Sequence, residues 1–411
     1  MTTVELTIDH VGVRGDGIAQ NDQGPIYIPF TLKGEHVSAN VSNSRGDVLQ
    51  ILDASPSRVT PICKHFGECG GCATQHMNAE TYSDWKLSIV KDALQKADVD
   101  TPIEMISDCQ VGERRRVTLT ANKTNKGTEL GYHKAASNQL IAIEECPVAT
   151  RRIVDHLSHI NDVARIVTLH SKPAHLTITA LDNGLDIAIS AESKIGESEI
   201  QAIIKKVVAG RVIKRLAFND QTLVETEALT TSFGDITVYP PSGSFLQASK
   251  RAELLMVDIV SKHLKSSKKV ADLFSGCGTF TFPLAKKSQV HAVEMSGAAL
   301  NTIDNAFRIQ QGLKQITTER RDLARRPLMR DELKHFQGVV FDPPRAGAET
   351  QAKQLARSVV KKIAAVSCNP ITLARDLTIL TGGGFKIKSI TAIDQFLFSA
   401  HVEVVALLER K

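Results

Sequence analysis

From Ser249 to the end of the chain, short apolar runs alternate with helical patterns, and this alternation restricts the possible fold more than any other feature. Strands are expected at Val270–Phe274, Val290–Glu294, Ile316–Glu319, Gly338–Phe341, Ile363–Ser367, Phe385–Ile393 and Val402–Leu408, behind a helix over Ser249–Leu264. The run Ile363-Ala364-Ala365-Val366 is apolar at consecutive positions, which suits a strand buried on both faces. Strands separated by helices need right-handed crossovers and form a parallel sheet. The last two runs have no helix between them and predict an antiparallel pair at one end of that sheet.

Open parallel sheets bind ligands at the carboxyl ends of their strands, so the residues that follow each run matter most. Cys368 follows the fifth run, just before Asn369 and Pro370 turn the chain into a helix. It reads either as a reactive thiol or as a small packed hydrophobe. Asp342-Pro343-Pro344-Arg345 follows the fourth run, where two prolines stiffen a ligand-facing loop or simply make a turn. After the first run, Gly276-Cys277-Gly278 lets backbone approach a nucleotide-like ligand. Glu294 ends the second, where a carboxylate can accept both ribose hydroxyl protons. A dinucleotide site wants a small residue three positions beyond the second glycine, and Thr281 stands there instead. That favours S-adenosylmethionine (SAM), which has the ribose but no phosphates.

The N-terminal residues, Val4 to about Ile51, form short alternating runs broken by glycines, the pattern of a small antiparallel β-barrel that either binds nucleic acid or is structural. A Ser/Pro linker at Ser55–Pro61 follows. Cys63, Cys69 and Cys72, with Gly70 and Gly71 between the last two, are far denser than scattered thiols, and Cys146-Pro147 supplies a fourth. Four thiolates suit zinc or a [4Fe-4S] cluster; the wide first spacing and the Cys-Pro favour the cluster. An amphipathic helix is expected over Glu80–Ala97, then a mixed α+β region with helical patterns near Ala149–His170 and Glu197–Val208. Domains are thus expected at 1–56, 57–245 and 246–411.

With 42% hydrophobic and 23% charged residues the composition is that of a soluble globular protein. The balance of 50 basic to 45 acidic residues permits a polyanionic partner. Arg114-Arg115-Arg116 and the run Arg320, Arg321, Arg325, Arg326, Arg330 are candidates for phosphate contacts or for solvated faces. There is no basic leader and no long apolar run, so a cytoplasmic protein without membrane attachment is expected.

Thiol, SAM turn and a late carboxylate, Glu403, which reads either as a base or as an ordinary surface carboxylate, together suggest one reaction. Carbon 5 of uracil is too weak a nucleophile to take a methyl group directly; a thiolate must first add to carbon 6, and a base must later remove the carbon 5 proton. The motifs FGECGGC (Phe66–Cys72), DLFSGCGTF, FDPPRAG, VSCNP and HVE together resemble the bacterial SAM-dependent RNA 5-methyluridine methyltransferase family. The resemblance implies a class I Rossmann-like SAM methyltransferase domain, a mixed α+β central domain and a TRAM/OB-like N-terminal barrel. It also implies Cys368 as nucleophile and Glu403 as base, with Gln247, Phe274, Thr279, Glu294, Asp322 and Asp342 at the SAM site. Cys63, Cys69, Cys72 and Cys146 would hold a [4Fe-4S] cluster. Thr279 stands where better-known members have asparagine, and Phe396-Leu397-Phe398 replaces a more usual Phe-Pro segment. The expected substrate is RNA, 23S ribosomal RNA before tRNA, and the expected state a monomer. A non-catalytic iron-sulfur RNA-binding protein and a small-molecule methyltransferase are the rival classes.

Overall fold

The computed structural model describes residues 2–107, 109–168, 172–192 and 194–411. The N-terminal runs form a curled six-stranded sheet, in the order Thr2–Thr7, His36–Ser42, Arg45–Asp53, Gly24–Ile28, Gly17–Asn21, His10–Val11. Its small core is Ile8, Ala19, Ile26, Ile28, Val37 and Ala39. Beneath it, Arg58 and Glu35 form a two-pronged ion pair at 2.6 and 2.7 Å, tying the Ser/Pro linker to the sheet.

The central region is a seven-stranded sheet whose middle strands, Arg116–Thr124, Ala174–Ala180 and Leu185–Ala191, are the alternating runs of the sequence. Helices Leu157–Val167 and Glu197–Gly210 cover one face. The end of the expected helical pattern at His170 lies outside the described residues.

The C-terminal sheet has eight strands: Ile316–Arg320, Gln289–Glu294, Lys269–Leu273, Gly338–Phe341, Lys362–Ser367, Glu403–Glu409, Lys386–Ile393 and Ile103–Ile106. The first five are parallel, and Glu403–Glu409 runs against its two neighbours. The chain winds outward in one direction from Lys269–Leu273 and then returns to Gly338–Phe341 on its other side. The crevice between those two strand ends is the switch point at which doubly wound sheets bind ligands.

One expectation needs correcting. The antiparallel pair does not end the sheet, because Ile103–Ile106, from far upstream, adds a parallel edge strand to Lys386–Ile393. Helix Ala79–Gln95 likewise packs on the C-terminal sheet, with Tyr82, Trp85, Ile89, Val90 and Leu94 in the same core as Leu373, Leu377 and Val404. Fully burying each such side chain contributes about 1.5 to 3 kcal/mol, so this helix is a substantial part of the sheet's stability. Among the described residues no helix is long and apolar enough to cross a membrane.

Candidate active site

Strand register brings the chemistry-bearing residues to one edge. Ser367 pairs with Val404, so the next residue along each strand places Cys368 across from Glu403. Ile393 pairs with the same Glu403 from the other side. Phe341 pairs with Leu273 and with Ala365, which sets Asp342 level with Phe274 on one side and Val366 on the other.

Four side chains at this edge form a hydrogen-bonded chain. Gln247 donates from Nε2 to Asp342 Oδ2 at 2.8 Å. Gln395 donates from Nε2 to Gln247 Oε1 at 2.8 Å and to Glu403 Oε2 at 2.6 Å, while its own Oε1 accepts from the Ala248 amide at 3.0 Å. Glu403 is 2% exposed, and its other oxygen, Oε1, has no hydrogen-bond partner among the described residues. Burial, and the nearby Asp342 carboxylate, push Glu403 well above the ordinary carboxylate range, against the pull of the Gln395 amide. Burial also pushes Asp342 up to about 7. Two buried carboxylates this close cannot both ionise cheaply.

Cys368 opens onto a cavity of about 370 Å³ lined by Val13 of the turn after strand His10–Val11, Ile89 of helix Ala79–Gln95, Lys96 at the end of that helix, and Arg345, Ile371 and His401. Burial raises the thiol to about 11, with Glu403 and Asp342 adding to the rise and Arg345 opposing it. Arg345 reaches the His401 ring at 2.6 Å, and burial together with Arg345 lowers His401 to about 4, so the imidazole is neutral at pH 7.

The loop that carries Gln395 and leads to Glu403 is clamped from below. Lys86, 0% exposed, pairs with Asp394 at 2.7 Å and donates to the carbonyls of Phe396 at 3.1 Å and His401 at 2.6 Å. Tyr82 donates to Asp394 at 2.5 Å and accepts from the Phe398 amide at 2.9 Å. Phe398, within the segment that departs from Phe-Pro, takes a left-handed φ of 60°. Lys86→Ala would leave Asp394 buried without its cation, and urea unfolding should show a loss of about 3 to 5 kcal/mol. A loss below about 1 kcal/mol would mean that water already serves Asp394.

The neighbouring strand ends form the turn expected to face SAM. Phe274 has φ 61°, a strained value for a residue with a Cβ, and Gly278 has φ 104°. A Cβ on Gly278 would lie 2.5 Å from the Phe282 ring, so only glycine lets the turn close there. Glu294 accepts from the amides of Met295 at 2.8 Å, Ser296 at 2.9 Å and Gly276 at 3.2 Å. A carboxylate has about four acceptor sites, so this one holds the turn in shape and keeps roughly one, on Oε2, for a ligand. Thr279 lies partly buried in the same turn. Asp322, two residues beyond strand Ile316–Arg320, accepts from the Ala324 amide at 3.0 Å.

The four cysteines Cys63, Cys69, Cys72 and Cys146 line a single cavity of about 90 Å³ with Tyr132, Arg114 and Leu397. Burial raises all four thiols, Cys72 to about 12, and each of Cys69, Cys72 and Cys146 is pushed further by neighbouring cysteines. Among the described residues no three His, Cys, Asp or Glu side chains are placed to hold a metal ion. The cavity adjoins the clamped loop: Leu397 is part of its wall, and the Ala73 amide donates to the Phe398 carbonyl at 2.7 Å.

Sequence reasoning missed several participants. Arg115, expected either to contact phosphate or to lie on a solvated face, is instead buried, donates to the Gln247 carbonyl at 2.9 Å and pairs with buried Glu253 at 2.5 Å, so it fixes the backbone of the amide chain. Arg321 is likewise held by Glu319 and Glu332, each at 2.6 Å. Asp272, 1% exposed, is pushed up to about 7 by burial and sits within reach of the charges of Asp342 and Glu294. Gln395 escaped notice, although it lies two residues past a strand that ends at the ligand edge.

The sequence profile of the family described as tRNA (Uracil-5-)-methyltransferase matches residues 130–411. A protein of Mesorhizobium japonicum named as an uncharacterized RNA methyltransferase is 46% identical over 408 residues, 99% of this chain and 98% of its own. The 23S rRNA (uracil(1939)-C(5))-methyltransferase of Vibrio parahaemolyticus is 28% identical over 436 residues, 98% of this chain and 95% of its own. Among solved structures, the Pyrococcus abyssi tRNA (uracil-54, C5)-methyltransferase in complex with S-adenosyl-L-homocysteine superimposes with a TM-score of 0.74, covering 98% of this chain and 99% of that one. At 21% identity that likeness is one of fold.

Proposed function

The chain belongs to the tRNA (Uracil-5-)-methyltransferase family, and from that premise we propose that it methylates carbon 5 of a uridine in 23S ribosomal RNA through a covalent adduct on Cys368. One observation carries the reading: strand register sets Cys368 opposite a buried, half-satisfied Glu403 at the ligand edge of the sheet.

SAM, when bound at the Phe274–Gly278 turn with Gln247, Glu294, Asp322 and Asp342 around it, supplies an electrophilic methyl group. The Cys368 thiol gives up its proton to solvent, the resulting thiolate adds to carbon 6 of uracil, and the π electrons of the 5,6 double bond move to make an enolate. Carbon 5 then takes the methyl group, and Glu403 Oε1 accepts the carbon 5 proton. The electrons of that C–H bond re-form the double bond and the sulfur–carbon bond breaks. A Glu403 held above the ordinary carboxylate range is a stronger base than a surface carboxylate once ionised, which suits a carbon acid. The target base must leave its stack to reach the cavity beside Cys368, so unpaired uridines are the favoured targets.

The cysteine cavity fits a [4Fe-4S] cluster in its donor set. Four converging thiols that burial and mutual charge keep protonated need a cationic centre to ionise. The same four sulfurs suit zinc as well, and the wide Cys63–Cys69 spacing together with the Cys146-Pro147 pair is what favours the cluster. Such a centre, held by Cys63, Cys69, Cys72 and Cys146, would cross-link residues 63–72 to Cys146. Protein purified without oxygen should carry about four irons per chain, and Cys63→Ser should lower soluble yield more than turnover per folded molecule. Stoichiometric zinc without iron would replace the cluster in this reading.

The 23S substrate draws on the 28% identical relative, and tRNA is the alternative that the family description names. Incubation with methyl-labelled SAM and separated ribosomal RNA and tRNA, followed by nucleoside analysis, decides between them. Label in 5-methyluridine from the ribosomal fraction supports the proposal; label only in tRNA moves the substrate, and no label in either returns the chain to a binding role.

A further inference from the structure

We propose that Gln395 is a positioning residue for Glu403, holding one carboxylate oxygen so that the other faces carbon 5 of the target uracil. The proposal rests on the covalent reading above and assigns a part to a residue outside its nucleophile and base.

The orientation of Gln395 is locked. Its Oε1 accepts from the backbone amide of Ala248, so the amide cannot flip without losing that bond, and Nε2 must point the other way. Both Nε2 hydrogens are then used, one on Gln247 Oε1 and one on Glu403 Oε2. Gln247 is orientated in turn, because an accepting Oε1 leaves its nitrogen for Asp342. No rotation of one amide is possible without breaking a bond to a buried neighbour; Gln395 itself is 3% exposed.

The backbone under Gln395 is equally constrained. Asp394, the residue before it, is held by both Lys86 and Tyr82, and Lys86 also holds the carbonyl of Phe396, the residue after it. Glu403 therefore has one oxygen fixed by a rigid donor and one buried oxygen with no partner among the described residues. A buried acceptor without a donor costs free energy, and such groups persist where a ligand or reaction supplies the partner. The C5–H proton is such a partner.

Without the Gln395 donor the Glu403 side chain can rotate away, and a shift of about 1 Å in a reacting group slows a step by roughly 10²-fold. The slowed step is the last one alone: proton removal from carbon 5, with re-formation of the double bond and release of the sulfur. Gln395→Met, similar in length but without a donor, should transfer the methyl group and then stall. On ordinary RNA at saturating SAM, where any loosening of Gln247 at the SAM site does not limit the rate, it should accumulate a protein–RNA adduct on a denaturing gel, carrying the labelled methyl.

Turnover at the wild-type rate without accumulation would overturn the proposal, and so would equal losses of methyl transfer and release, which a merely structural role would give. If Gln395→Met yields too little folded protein, Gln395→Asn, which keeps the amide but falls one methylene short of Glu403, is read on the same gel with the same outcomes. Wild-type protein is run beside it with 5-fluorouridine RNA. Failure of that control to form any adduct would remove the covalent reading and this proposal with it, whereas a trapped wild type beside a freely releasing variant removes this proposal alone.

Discussion

Cys368→Ala protein is expected to bind SAM and RNA as the wild type does and to transfer no methyl group above background. Removing a nucleophile on which every later step depends typically costs on the order of 10⁴ to 10⁶ in turnover, since binding and electrostatics cannot replace the missing bond. The thiol is partly exposed and makes none of the hydrogen bonds of the Asp342–Gln247–Gln395–Glu403 chain, so the alanine should leave stability within about 1 kcal/mol. Label incorporation measures the first effect, and calorimetry with thermal unfolding the second. A variant that still methylated would make Cys368 a packed thiol.

The same residue predicts a pH dependence. Burial and the two carboxylates put the thiol at about 11, so at neutral pH the reactive thiolate is the minor form. Raising the pH deprotonates it, and adduct formation by the wild type on 5-fluorouridine RNA should quicken by roughly tenfold per unit while the pH stays below that value. A flat profile would mean that bound RNA brings its own proton acceptor to the sulfur.

The strands of the C-terminal sheet were legible because strands buried on both faces are written as uninterrupted apolar runs, and Ile363–Val366 is the extreme case. The edge strand Ile103–Ile106 was not: four residues with mixed burial carry no period, and only the pairing with Lys386–Ile393 makes them a strand. Cys368, Asp342 and Glu294 could be picked out by a positional rule, since each follows or ends a recognisable strand. Gln395 obeys the same rule, yet a glutamine has no chemistry until its partners are known.

Lys86 shows a signal that was present and unread. Tyr82, Trp85, Lys86 and Ile89 follow the i, i+3, i+4, i+7 spacing of one helix face, and a lysine inside an apolar stripe implies a buried anion, here Asp394. Arg115 shows the opposite failure. A run of arginines looks like a phosphate site whether its members face water or, as here, a buried glutamate; only burial distinguishes them.

Glu403→Gln is expected to separate methyl transfer from release. The amide is nearly isosteric with the acid and can still meet Gln395 by presenting its oxygen to Nε2, so the fold and the binding of SAM should survive. It cannot accept the carbon 5 proton. Addition of Cys368 and methyl transfer need no base at that position and should proceed once, after which the methylated adduct has no route to elimination. Multiple turnover should fall by at least about 10²-fold, in the range general base catalysis contributes, while a single labelled methyl per active site appears in a species that resists denaturant. The replacement also removes one of the two carboxylates that raise the Cys368 thiol, so the pH needed for adduct formation should move down rather than up. Released 5-methyluridine at the wild-type rate would assign proton removal to another group, and Asp342, hydrogen-bonded into the same chain and pushed up to about 7, would be the next residue to replace.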